Sequence, residues 1–77
     1  MKGEGWLKER DGEWILRFRH DWESWGKNPK VLIDKGRLET NGIPLLKSRQ
    51  RIRRQLAISL WKKLLTNGWV QTDSKWK

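Results

Sequence analysis

Apolar residues between Trp6 and Phe18 come in runs of one to three set between charged ones. Between Ile52 and Leu65 they recur every three or four residues. The first spacing is that of strands and the second that of a helix. The spacing predicts a helix over residues 48–67. Ile52, Leu56, Leu60 and Leu64 form one row, and Ala57, Trp61 and Leu65 form a second beside it. Arg51, Gln55, Ser59, Lys62, Lys63 and Thr66 fall on the opposite arc, which faces water. Ser48 is the N-cap candidate, because its hydroxyl can accept from an unpaired backbone N–H. Asn67-Gly68 is the stop, because glycine tolerates the left-handed conformation just past a helix end.

Upstream, residues 6–10 and 13–19 read as two strands joined at Asp11-Gly12. An Asp-Gly pair between alternating runs predicts a two-residue type I′ turn, with positive φ at both central positions. That register sets Arg10 opposite Glu13, Leu7 opposite Leu16 and Trp6 opposite Arg17. Leu7, Trp14, Leu16 and Phe18 then share the core face; Trp6, Lys8, Ile15, Arg17 and Arg19 share the other. Residues 20–29 form a loop. Its two tryptophans, Trp22 and Trp25, either fold back over the sheet edge or are presented to a partner. Val31-Leu32-Ile33 marks a third strand over residues 30–34. Arg37 to Thr40 reads as a further short strand or an extended arm, and Asn41-Gly42 as a turn. Ile43 to Leu46, interrupted by Pro44, is an edge strand or a tether into the helix. Residues 69–77 hold a last short strand or tail, with Trp76 docked. The fold class is therefore α+β: one domain with a small antiparallel sheet of three to four strands and one C-terminal-half helix packed across it. Its expected core is Leu7, Trp14, Leu16, Phe18, Val31, Ile33, Ile52, Leu56, Leu60, Trp61 and Leu64.

Composition changes this picture in two ways. Seven tryptophans in 77 residues give a small domain large buried areas without disulfides, and there are no cysteines. The absence of thiols fits a reducing compartment, and the N-terminus lacks the apolar stretch of a signal peptide. The charge is lopsided. Residues 1–46 carry nine Lys/Arg against eight Asp/Glu, a surplus of one; residues 47–77 carry nine against Asp73 alone, a surplus of eight. Such asymmetry points to an anionic partner.

Arg49, Arg51, Arg53 and Arg54 then stand out. In a helix beginning at Ser48 they crowd the end that already carries partial positive charge, where acidic residues belong. Such a conflict marks a site for phosphate or carboxylate, or else arginines paired with carboxylates of the N-terminal half; the two readings weigh equally. The first makes the protein a nucleic-acid-binding module. Arg49, Arg51, Arg53, Arg54, Lys62 and Lys63 contact phosphates, and Arg17, Arg19 and Trp6 help from the sheet. The mixed aromatic and basic sheet face fits this, although near-neutral residues 1–46 slightly favour a plain solvated face. The alternative is an adaptor or viral effector that binds an acidic protein, with Trp22, Trp25 and Trp76 as anchors. Peripheral membrane binding ranks lower, because the helix needs its apolar arc for the core. No catalytic constellation, cofactor motif or metal-ligand spacing can be assembled. His20 is the one histidine, and beside Asp21 it has neither a nucleophile nor a set of ligands.

Gly5-Trp6-Leu7, the run Trp14 to Phe18, Val31-Leu32-Ile33-Asp34 before Gly36-Arg37, Asn41-Gly42, Leu60-Trp61-Lys62, Gly68-Trp69 and the terminal Trp76 carry a resemblance. With these residues the chain resembles the short tryptophan-rich proteins of unknown function found in marine unicellular cyanobacteria. The resemblance spans most of the chain. It rests on structural tryptophans and glycines and transfers no functional residue. It implies a cytoplasmic protein of such a cell or of a virus infecting one. The helix departs from the family pattern, which has more acidic residues there.

Overall fold

The computed structural model describes residues 4–24, 26 and 28–73. Trp25 and Trp76, expected as interaction anchors, lie outside them. The elements are β1 (Gly5–Lys8), β2 (Trp14–Asp21), β3 (Lys30–Arg37), β4 (Leu45–Arg53), α1 (Arg54–Thr66) and β5 (Val70–Gln71), with a short 3₁₀ turn at Trp22–Ser24. The α+β class holds, but the antiparallel sheet has five strands rather than three to four, in the order β4-β3-β2-β1-β5. Strands β1 to β4 form a meander. Helix α1 then carries the chain from the β4 edge to the opposite edge, where β5 pairs with β1.

The hairpin register is the expected one. Trp6 lies opposite Arg17 and Leu7 opposite Leu16. The turn is not. β1 ends at Lys8 and β2 starts at Trp14, and neither Asp11 nor Gly12 has positive φ. A longer loop, held by the Glu9 N–H donating to the Trp14 carbonyl at 3.0 Å, replaces the type I′ turn. The register survives because apolar alternation in both strands specifies it independently of the turn.

The main correction concerns residues 45–53. The expected helix starts six residues late, at Arg54, and its first turns are instead strand β4. Ser48 therefore caps nothing. The N-cap is Arg53, extended at φ −60° and ψ 145°, with no capping hydrogen bond from its side chain. The period of two was present beside the period of four: Arg49, Arg51 and Arg53 alternate with Ser48, Gln50 and Ile52. As a strand, the segment sets Ile52 opposite Val31 and Arg49 opposite Asp34. As a helix it would gather cations at a positive end. A bulge between Lys35 and Gly36 shifts the β3–β4 register by one residue.

The helix packs on one face of the sheet. Leu7, Leu16, Phe18, Val31, Ile33, Ala57 and Trp61 form the buried cluster, with Ile52, Leu60, Leu64 and Trp69 packed against it. Phe18 and Trp61 meet edge to face, with ring centroids 5.1 Å apart. Helix rotation differs from the expected one. Leu56 and Leu65 are exposed, and the buried stripe runs through Ala57, Leu60, Trp61 and Leu64. Trp14 also lies outside the cluster; it is half-buried, with the Lys35 ammonium 4.4 Å over its ring. The helix ends as expected. Gly68 has φ +97°, the Trp69 N–H donates to the Leu64 carbonyl and the Gly68 N–H to the Leu65 carbonyl. This is the Schellman arrangement.

Candidate nucleic-acid interface

The sheet face opposite the helix carries most of the candidate residues. Paired residues of neighbouring strands put their side chains on the same face, so the ladders read as rows across the sheet. One row is Trp6, Arg17, Asp34 and Arg49, running across β1, β2, β3 and β4. The next is Arg19, Leu32 and Arg51, and the next Asp21, Lys30 and Arg53. On the other side of the first row lie Val70, Lys8, Ile15, Gly36 and Leu46. Six of the expected site residues, Trp6, Arg17, Arg19, Arg49, Arg51 and Arg53, thus come together on one surface. They do so through strand pairing rather than at a helix N-terminus.

The rest do not join them. Lys62 and Lys63 are exposed on the helix, in the other layer. Arg54 is half-buried as the first helical residue, and its N–H donates to the Pro29 carbonyl at 3.0 Å. Trp22 is 67% exposed in the β2–β3 connection and packs edge-on against His20, with centroids 4.4 Å apart. Ser24 closes that connection. Its hydroxyl donates to the Asp21 carbonyl at 2.8 Å and accepts from the Lys30 N–H at 2.9 Å.

The centre of the face is Asp34. It is 1% exposed, because the guanidinium groups of Arg17, Arg19 and Arg49 close around it; Ile15, on the same face, is fully buried too. Arg17 Nη2 donates to its Oδ2 at 2.9 Å, Arg19 Nε to the same oxygen at 3.3 Å, and Arg49 Nε to Oδ1. Burial alone pushes the Asp34 carboxyl up. Hydrogen bonds from Arg49 and Arg17, with the charges of Arg49 and Arg19, outweigh burial and hold it below its ordinary value. The same contact raises Arg49 above the ordinary arginine value. Arg51 Nε pairs with the buried Asp21 at 2.8 Å. Arg17 lies 5.5 Å from the centroid of the Trp6 ring, over its face.

These contacts orient the arginines without consuming them. The Arg49 and Arg51 side chains remain 49% and 53% exposed. Among the ladder residues of the face, seven cations (Lys8, Arg17, Arg19, Lys30, Arg49, Arg51 and Arg53) stand against two carboxylates (Asp21 and Asp34), a surplus of five. The alternative reading, arginines paired with carboxylates of the N-terminal half, holds for Arg49 and Arg51, although sequence reasoning did not single out Asp34 and Asp21 as the partners. The available signal was Asp34, a carboxylate directly after the apolar run Val31-Leu32-Ile33. Its partners, 15 and 17 residues away, were not readable.

No group of three or more His, Cys, Asp or Glu that could hold a metal ion occurs among the described residues, and no helix there is long and apolar enough to cross a membrane. No curated protein and no solved structure matches the chain. Residues 4–76, which span the hairpin, the basic sheet face and the helix, match the model of the family described as "Protein of unknown function (DUF1651)", and the chain belongs to that family.

Proposed function

We propose that the protein is a small non-enzymatic module that binds nucleic acid through the face of its sheet opposite the helix. One observation carries the reading: a surplus of five positive charges is gathered on the sheet face opposite the helix. Guanidinium groups held by Asp34 and Asp21 lose less side-chain freedom on meeting phosphate than free ones do. Arg19, Arg49, Arg51 and Arg53, with Lys8 and Lys30, contact the anion, and Trp6 supplies the aromatic surface at the β1 side. A cytoplasmic location belongs to the same proposal. The test is titration with short oligonucleotides at several salt concentrations. If all five surplus charges meet phosphates of duplex DNA, the plot of log affinity against log salt has a slope of about −4 to −5. Reversal of Arg51 and Arg53 to Glu abolishes binding at physiological salt. Unchanged affinity in that variant disproves the proposal.

The exposed Trp22 favours a second reading, an acidic protein partner anchored there and steered by the same arginines. Complex formation that survives nuclease treatment and is lost in Trp22→Ala separates it from the first.

A further inference from the structure

The nucleic-acid reading leaves open which form is bound, and the face itself discriminates. A groove for single strands needs successive aromatic platforms on which bases stack. Among the described tryptophans, Trp6 alone stands on this face, at its β1 side and half-buried under Arg17. Trp61 is in the core on the other side of the sheet, Trp14 shares that side, and Trp22 and Trp69 lie in connections. The face is a lattice of guanidinium groups with one aromatic flank, which is poor for stacking bases.

It is well made for a groove. β4 is an edge strand of nine residues and is exposed along almost all its length. Arg49, Arg51 and Arg53 stand on one face of it at every second position. Neighbouring strands lie about 4.8 Å apart, so the β3–β4 ribbon fits a B-form major groove about 12 Å wide. The A-form major groove is deep and too narrow for side chains to read. Arg53 is exposed and has no carboxylate partner among the described residues, and Arg51 keeps half its surface free beside Asp21. Both present the planar fork that matches the acceptor pair of guanine. We infer that the ligand is B-form duplex DNA, with the β3–β4 ribbon in the major groove and Arg51 and Arg53 toward the base edges. This rests on the nucleic-acid reading and narrows it.

The experiment compares the affinity of the whole chain for four labelled probes of one G·C-containing sequence: duplex DNA, duplex RNA, and each single strand type. All four are measured at physiological salt. Duplex DNA is expected to bind tightest by about fivefold or more, the lower end of what one bidentate arginine–guanine contact contributes. Arg51→Gln/Arg53→Gln is expected to erase that preference. Lys62→Gln/Lys63→Gln, which removes equal charge from the helix layer, is expected to retain it. Circular dichroism of both variants establishes that they are folded. Should the sheet variant be unfolded, Arg53→Gln alone, at the exposed strand end, is expected to reduce the preference. Equal or tighter binding of single strands or duplex RNA overturns the inference while leaving nucleic-acid binding intact. Absence of binding to all four overturns both.

Discussion

Arg49 and Asp34 are direct partners in the β3–β4 ladder and also an ion pair, so one cross-strand contact sets the register of the edge strand and neutralises a buried carboxylate. Asp34→Asn keeps the shape and leaves Arg17, Arg19 and Arg49 facing one another without the compensating charge. Breaking a buried pair by removing one partner costs about 3–5 kcal/mol. Here the arginines are partly exposed, and solvent screens their repulsion. A loss of about 2–3 kcal/mol in chemical denaturation is therefore expected.

The same carboxylate makes stability depend on pH. Its folded value lies below the ordinary 3.8, so the unfolded chain takes up the proton first as pH falls. The contribution is complete above the unfolded value and is lost as pH drops through the folded one. Thermal unfolding followed below pH about 4 should show a falling midpoint, and Asp34→Asn should flatten that part of the profile.

Gly5 lies under the Trp61 ring. A Cβ built there falls 2.6 Å from Trp61 Cη2, closer than the two carbons can approach. Gly5→Ala is expected to destabilise by about 1–3 kcal/mol, as overpacking does. In a Trp61→Phe background, itself destabilised, the added cost should largely vanish. A double-mutant cycle measures this coupling, and additive costs would show that the contact is not tight.

Helix rotation is testable at adjacent positions. Leu56 is exposed and Ala57 is fully buried, the reverse of what their sizes invite. Leu56→Gln should change stability by no more than about 0.5 kcal/mol. Ala57→Leu should cost about 1–3 kcal/mol, because it forces side chains into filled space.

At the helix end, Gly68 has φ +97° with open space where a Cβ would stand, so backbone conformation alone opposes a side chain there. Gly68→Ala should lower stability by about 1 kcal/mol and Gly68→Asn by less, since Asn tolerates positive φ better. Gly42, at φ +81° and equally open, should behave the same way in the β3–β4 connection.

The basic face was half legible from the chain. Trp6, Arg17 and Arg19 could be put on one face, because two alternating strands and a short connection leave one good register. Arg49, Arg51 and Arg53 were conspicuous in the sequence because they would conflict with a helix N-terminus. In the structure the segment is a strand and the conflict does not arise, so the arginines join the sheet face and leave Lys62 and Lys63 behind on the helix.

Local chemistry alone determined the register of the first hairpin, the end of the helix at Asn67-Gly68 and the concentration of charge after Leu46. Each depends on residues close together in the chain. Tertiary structure decided whether residues 45–53 are strand or helix, because Ile52 and Leu56 satisfy a helical period as well as Arg49, Arg51 and Arg53 satisfy a strand's. What favours the strand lies elsewhere: Val31 opposite Ile52, Asp34 under Arg49 and Asp21 beside Arg51. Tertiary structure also chose the buried stripe of the helix, because Trp61 must lie beside Phe18 and over Gly5, residues more than forty positions away whose space no local pattern encodes.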